Sequence, residues 1–453
     1  MKKQRESKVH ESTFRLNAFA TLGCLWVLLT NPLGLAAQDA PIDLEWARSY
    51  FNTFAQIGDS AAGGLWGVPL YGPILLVDRR TRFVVANHAD SLGLLTESSG
   101  IWTGTLPAEQ NIANTAVEWS GLRWSMVIWP LPADVYQRQK LVFHELFHRI
   151  QPELGLSLGD PTNAHLNTME GRIWIRLEWR ALSASLLRAG AERKEALADA
   201  LLFRAQRHRL FPMALNEERM LELNEGLAEY TGLRMSGLPQ WAIADRAALR
   251  LADGDGSSGF SRSFAYASGP AYGILLDEAE VEWRSTISDS SSLPCMVGEA
   301  YGIVLETEGD PLERALVYDG QRVVQEENHR AEEAAAREAQ LIVAFVEGPT
   351  ITLPVTSGFR YSFDPNQAVP LTDLGTVYET ARVTAAWGIL TVESGGVLML
   401  RGGGGIQGVR VPVDPDAPDF PSASPGWTLE LNDGWTVELH ETGSNWRVVQ
   451  EGN

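Results

Sequence analysis

The sequence is short of cysteine, of lysine and of long apolar runs. Its 453 residues include two cysteines, Cys24 and Cys295. Cys24 lies in an apparent leader, so one cysteine remains, an internal disulfide is excluded, and the fold must rest on packed cores. After the first few residues lysine occurs only at Lys140 and Lys194, and arginine carries the positive charge. Acidic residues number 57 against 37 Lys and Arg, for a net charge of −20. Such a surface repels phosphate backbones and anionic lipid, so no nucleic-acid partner is expected. Beyond the leader no apolar stretch approaches the roughly 20 residues that a helical membrane span needs, so no stable membrane insertion is expected. No serine sits in Gly-x-Ser-x-Gly, which disfavours a serine hydrolase. The glycine run 402–405 lacks the Lys-Ser/Thr of a phosphate loop and reads as a turn between strands.

The N-terminus has a distinct order. Lys2, Lys3, Arg5, Lys8 and Arg15 precede an apolar run over 18–29, followed by Asn31-Pro32 and the small residues Gly34, Ala36 and Ala37. Basic, apolar, small is the layout of a secretory signal peptide, with cleavage expected near Ala37 and a secreted or periplasmic location. An uncleaved anchor is the alternative.

The rest divides into three textures, and the expected class is α+β. Residues 38–135 read as a small mixed α/β region forming the upper lobe of a catalytic unit. Apolar runs at 72–78 and 81–86 flank a polar turn and predict a hairpin, and 117–119 with 123–129 predict another. Residues 136–345 read as a helical domain, with helices over 136–151, 168–187, 191–209, 216–231, 264–280 and a polar-faced spacer over 326–345. From 346 to 453, short alternating runs with Gly, Pro and Asp turns predict a β-sandwich-like domain. There Trp427, Leu429 and Leu431, then Asn432-Asp433-Gly434, then Trp435, Val437 and Leu439 predict a hairpin.

The chemistry concentrates in His144-Glu145-Leu146-Phe147-His148. On a helix, His144 and His148 share one face a turn apart and can grip one zinc ion. Glu145 lies at the edge of that face, where it can act as general base. The flanking Leu141, Val142, Phe143 and Ile150 make the helix apolar nearly all round, as in a buried one. Two histidines and a glutamate buried there need satisfaction, which a metal supplies. The competing reading is a helix with two hydrogen-bonded core histidines.

A catalytic zinc needs a third protein ligand. No histidine stands six positions after His148, so carboxylates are considered. Glu225 and Glu229 are four apart in an otherwise apolar or small segment, Leu223 to Tyr230, with Glu225 suited to ligation and Glu229 to accepting the second N–H of a ligating histidine. Glu170, Glu178 and Asp160 remain alternatives for the third ligand.

The pair His144-Glu145-x-x-His148 and Asn224-Glu225-Gly226-Leu227-Ala228-Glu229-Tyr230 resembles the gluzincin metallopeptidases, especially the aminopeptidase N family. The resemblance, which covers residues 120–280, implies a mostly helical zincin-like catalytic domain, Glu225 as third zinc ligand and Glu229 behind it. It also implies an oxyanion-stabilising tyrosine in a Tyr-x-x-Gly pattern, met by Tyr266-Ala267-Ser268-Gly269, with Tyr272 as second choice. The chain departs from that family in two ways. Here 76 residues separate His148 from Glu225, and the Gly-x-Met-Glu-Asn motif that recognises a free N-terminus is absent. The expected function is zinc-dependent hydrolysis of a peptide or protein substrate. The rivals are a zinc hydrolase of a non-peptide substrate and a non-catalytic secreted binding protein.

Two further features have double readings. Glu170, Arg172, Arg176, Glu178 and Arg180 form intrahelical ion pairs at three- and four-residue spacing or line the cleft. Residues 123–129 form a core strand or the edge strand along which an extended peptide lies.

Overall fold

The computed structural model describes residues 42–60, 65–157, 159–304, 309–363, 368–371, 373–402, 405–440 and 445–452. The signal-peptide reading of residues 1–37 lies outside them. No helix among the described residues is long and apolar enough to cross a membrane.

The architecture is α+β, with a helical central region and a strand-rich C-terminal one. Helix α1 (Leu44–Ser60) leads to a six-stranded sheet of β1 (Ile74–Asp78), β2 (Phe83–Ala86), β3 (Thr96–Ser98), β4 (Ile101–Thr105), β5 (Thr115–Trp119) and β6 (Leu122–Trp129). Their order is β3-β4-β2-β1-β6-β5. Both anticipated hairpins form, β1 with β2 and β5 with β6, each antiparallel. Strand β6 also pairs in parallel with β1 and therefore lies inside the sheet; the edge position belongs to β5, which corrects the edge-strand reading of 123–129. Side-chain alternation divides β1 between two cores. Ile74 and Leu76 face the helices, while Leu75 and Val77 join Trp119, Trp124 and Met126 on the other face.

The helices are α2 (Val135–Ile150), α3 (Met169–Leu187), α4 (Gly190–Leu210), α5 (Ala214–Leu221), α6 (Leu227–Arg234), α7 (Gln240–Gly254) and α8 (Ala265–Glu278). Then follow α9 (Leu293–Ala300), the short α10 (Pro311–Ala315) and the long α11 (Gly320–Ile342). One apolar core runs from Ile42 through the sheet and all these helices to Val323, so sheet and helices fold as one body. Helix α2 starts on Asp134, whose side chain accepts from the Gln137 N–H at 2.8 Å. It ends where Arg123 of β6 donates to the carbonyls of His148 and Arg149 at 3.2 and 3.1 Å. Sheet and helix are thus tied at the end that carries the histidines.

The 76 residues between His148 and Glu225 hold α3 and α4, which pack on each other behind the site. The α3 arginines pair neither within their helix nor with a cleft. Arg172 and Arg176 reach Glu327 of α11 at 2.7 and 2.9 Å, and Arg180 reaches Asp255 after α7 at 2.7 Å. Both earlier readings are corrected: three-to-four spacing on α3 also aligns charges toward neighbouring helices. The same contacts anchor the start of α11, so only its later part is the solvated spacer that was expected.

Beyond Thr350, twelve strands among the described residues form sheets of seven and five around their own core, which includes Ile351, Trp387, Leu390, Val409 and Trp427. Trp427–Leu431 and Trp435–Leu439 are both strands, but they lie in different sheets. The predicted hairpin is therefore wrong. Trp427–Leu431 pairs with Gly388–Val392, Trp435–Leu439 pairs with Trp446–Gln450, and the turn at 432–434 carries the chain between layers. Alternation reports a half-buried strand but not its partner.

Candidate metal centre

His144, Glu145 and His148 lie buried on α2, between the sheet and α6. Ser125 of β6 donates to the Glu145 carbonyl at 3.0 Å, and Gly232 of α6 sits so close to the Lys140 carbonyl that an added Cβ would stand 2.5 Å from it. That approach brings α6 within reach of the imidazoles.

Between α5 and α6 the helix widens into one π-turn, Glu222–Gly226, which contains Asn224 and Glu225. Such turns occur frequently at functional sites because one extra residue re-aims the side chains of a helix. Gly226 of this turn packs on Gly269 of α8, where an added Cβ would stand 2.3 Å from the Gly226 Cα. This contact places Tyr266 over Glu225. Its ring stacks on His144 at 5.7 Å and 6°, and its hydroxyl donates to Glu225 Oε2 at 2.5 Å.

The three expected ligands converge. His144 Nε2 and His148 Nε2 are 3.2 Å apart, and Glu225 Oε2 lies 3.4 Å from the first and 3.5 Å from the second. These three buried residues are able to hold one metal ion. The surrounding hydrogen bonds support that role by fixing the tautomers. The Gly159 carbonyl accepts from Asn224 Nδ2 at 3.0 Å, so Asn224 Oδ1 accepts from Gln151 Nε2 at 3.2 Å. Gln151 Oε1 must then accept from His148 Nδ1, 2.9 Å away. The Nδ1–H of His144 likewise donates to Glu229 Oε2 at 3.2 Å. With both Nδ1 atoms protonated, two Nε2 lone pairs and a carboxylate oxygen face one point, an arrangement that repels itself unless a metal cation or a further proton stands there. Glu145 Oε2 is buried beside them with no hydrogen-bond partner among the described residues.

The electrostatics show how strongly the carboxylates draw positive charge to this point. Burial by itself lowers the His144 pKa, yet the bonds to Glu225 and Glu229 override it and raise the value to about 9. Burial would raise Glu225, but His144, His148 and Tyr266 hold it well below the usual carboxylate range. Desolvation dominates at Glu145 and pushes its pKa up. Burial and the bond to Glu225 raise Tyr266, which keeps its proton.

Three anchoring residues were not anticipated. Gln151 holds His148, Lys140 holds Glu229 at 2.5 Å, and Arg262 takes Glu225 Oε1 at 3.0 Å, leaving Oε2 to the histidines. Each stands three or four residues from an anticipated site residue (Gln151 after His148, Lys140 before His144, Arg262 before Tyr266), and that spacing was the available signal.

The alternatives for the third ligand are placed elsewhere. Glu170 is exposed at the start of α3. Glu178 is consumed by Arg204 and Arg207 at 3.0 and 2.6 Å and by the Tyr272 hydroxyl at 2.7 Å, which also removes Tyr272 from the site. Asp160 pairs with Arg262. The metal site opens on a cleft of about 730 Å³ bordered by α2, α6 and α7 and lined by His144, Glu145 and Tyr266 among others.

Comparison of the chain with protein-family models, with curated proteins and with solved structures found no match.

Proposed function

We propose that the protein is a secreted zinc-dependent hydrolase of peptide bonds, arranged as in gluzincins. His144, His148 and Glu225 are the metal ligands and Glu145 is the general base. One observation carries the reading. Two imidazoles with committed Nδ1 protons and one carboxylate oxygen converge next to a cleft that His144, Glu145 and Tyr266 line, beside a buried carboxylate oxygen that has no partner among the described residues. Zinc suits the donor set of two imidazoles and one carboxylate. A tetrahedral ion with bonds of about 2.0–2.1 Å has ligand–ligand edges of about 3.3 Å, and the observed separations of 3.2, 3.4 and 3.5 Å bracket that figure. When bound, zinc supplies a Lewis acid that polarises the scissile carbonyl and lowers the pKa of a water.

The remaining work falls to the chain. Glu145, its basicity raised by burial, accepts a proton from the attacking water at its free carboxylate oxygen and returns it to the leaving nitrogen. Tyr266 transfers its hydrogen bond from Glu225 to the substrate oxygen as negative charge develops there. Glu229 and Gln151 hold the imidazoles in their ligating tautomers. The basic, apolar, small order of residues 1–37 supports export.

The test is Glu145→Gln. Zinc content should stay at the wild-type level while cleavage of a fluorogenic peptide library falls by about 10²–10⁴-fold. Undiminished cleavage would remove Glu145 from the mechanism. A zinc-loaded wild type that leaves every peptide intact but hydrolyses esters or other amides would move the activity to a non-peptide substrate.

A further inference from the structure

The cleft has a charge pattern that the hydrolytic machinery does not use. Helix α7 forms one wall. Its Ile243, Ala248 and Leu251 are buried in the core, whereas Arg246, Leu249, Arg250 and Asp253 are exposed and line the cleft. Offsets of three, four and seven residues put these four on one face of the helix. Among the described residues, neither Arg246 nor Arg250 has a hydrogen-bond or ion-pair partner. Asp253 comes one turn after Arg250 without pairing with it. The other cation of the cleft, Lys140, is neutralised by Glu229 at 2.5 Å.

Inside the fold, arginines are paired. With 57 acidic residues to 37 Lys and Arg, a basic side chain readily meets a carboxylate. Arg172, Arg176, Arg180, Arg204 and Arg207 all do so. Two guanidiniums without partners among the described residues, on the wall of the cleft that His144 and Glu145 also line, offer donors to an anionic group, with Asp253 on the same helix face. Leu141, Leu233, Leu238 and Leu249 line the same cleft and suit an apolar side chain.

We propose that Arg246 and Arg250 select substrate by binding a carboxylate carried near the scissile bond. This inference rests on the peptidase reading. The fork of each guanidinium matches a carboxylate with two parallel N–H donors. That carboxylate belongs either to an Asp or Glu side chain or to the C-terminus of a short peptide. The two arginines are specificity determinants and take no part in the proton transfers.

The experiment uses matched peptide sets of one length with leucine fixed beside the variable position. One set carries Glu or Asp and the other Gln or Asn, and each is made with a free and with an amidated C-terminus. Binding to the zinc-loaded Glu145→Gln protein is measured by calorimetry, and hydrolysis is measured with the zinc-loaded wild type. Anionic peptides should bind more tightly than their neutral partners. Each of Arg246→Gln and Arg250→Gln should reduce that preference by about three- to tenfold, appearing in KM rather than kcat. Arg250→Glu should shift the preference toward basic peptides. Loss of preference on amidation assigns the carboxylate to the C-terminus, and persistence assigns it to the side chain. Hydrolysis of acidic and neutral peptides at equal efficiency, unchanged in the arginine variants, overturns this inference and leaves the peptidase reading standing. An arginine-dependent binding preference without hydrolysis overturns the peptidase reading and leaves the anion site standing. Failure of every peptide to bind overturns both.

Discussion

Tyr266 is the residue whose two roles are most sharply separated by geometry. Its hydroxyl donates to Glu225 Oε2, the same oxygen that faces both imidazoles. A ligand-holding role predicts that its loss weakens metal binding; an oxyanion role predicts slower turnover with metal retained. Arg262 independently holds the other oxygen of Glu225, so the carboxylate keeps its orientation without the phenol. Tyr266→Phe should therefore retain zinc and lower kcat by about 10²–10³-fold, as read by steady-state kinetics beside metal analysis. Loss of zinc with kcat per bound metal unchanged would make Tyr266 a ligand anchor instead. At this scale the sequence was informative where one helix decides the outcome: His144 with His148, and Glu225 with Glu229, are related by helical repeat alone. Gln151 follows His148 by three residues and was within reach of the same helical-repeat argument, whereas Arg262 was missed because folding alone brings it to Glu225.

At the scale of elements, the site depends on two helices meeting without side chains between them. Gly226 in the π-turn and Gly269 in α8 let the backbones touch, and Glu225 and Tyr266 flank that contact. The glycine of Tyr-x-x-Gly is thus accounted for by packing. The atoms that a Cβ on residue 269 would meet belong to the Gly226 backbone, which cannot rotate aside. Gly269→Ala should cost about 1–3 kcal/mol in stability and weaken zinc binding, measured by urea denaturation and by competition with a chelator. A variant with unchanged zinc affinity would show that this close approach does not set the site. Element types were largely legible, but partners were not. Period-two alternation marked Trp427–Leu431 and Trp435–Leu439 as strands while giving no indication that they belong to opposite sheets. Likewise, the charge spacing of α3 fits neighbours on the same helix as well as neighbours across an interface.

For the whole molecule, the long insertion acts as a brace behind the site. Glu178 of α3, Arg204 and Arg207 of α4, Glu218 of α5 and Glu222 of the π-turn are buried together, and Tyr272 of α8 joins them. Three carboxylates face two guanidiniums, and the imidazoles of His165 and His208 meet Glu218 at 2.7 and 3.0 Å, so Glu222 is the carboxylate with the fewest cationic partners. Burial raises the Glu222 pKa from 4.5 to about 7, only partly opposed by Arg204. A folded-state pKa above the unfolded one gives stability that is complete below about 4.5 and lost as pH rises through about 7. The loss attributable to Glu222 is at most about 1.4 kcal/mol per pH unit in that window. Glu222→Gln mimics the protonated form, so its stability relative to wild type should increase from pH 5 to pH 8 in urea titrations. A difference independent of pH would mean that Glu222 does not titrate in this window. None of this was visible in sequence, where Glu178 and its neighbours read as intrahelical ion pairs or cleft residues and the insertion as a departure from a known plan.

The claim that His144, His148 and Glu225 form one metal site underlies all the rest. Its most direct test is metal analysis of the full chain after zinc reconstitution and desalting, for wild type, Glu225→Ala and Glu170→Ala. Glu170 is exposed at the start of α3 and serves as the control. One zinc per chain is expected in wild type and in Glu170→Ala, and little or none in Glu225→Ala. Wild-type protein that retains no zinc, or Glu225→Ala that retains it fully, would contradict the account.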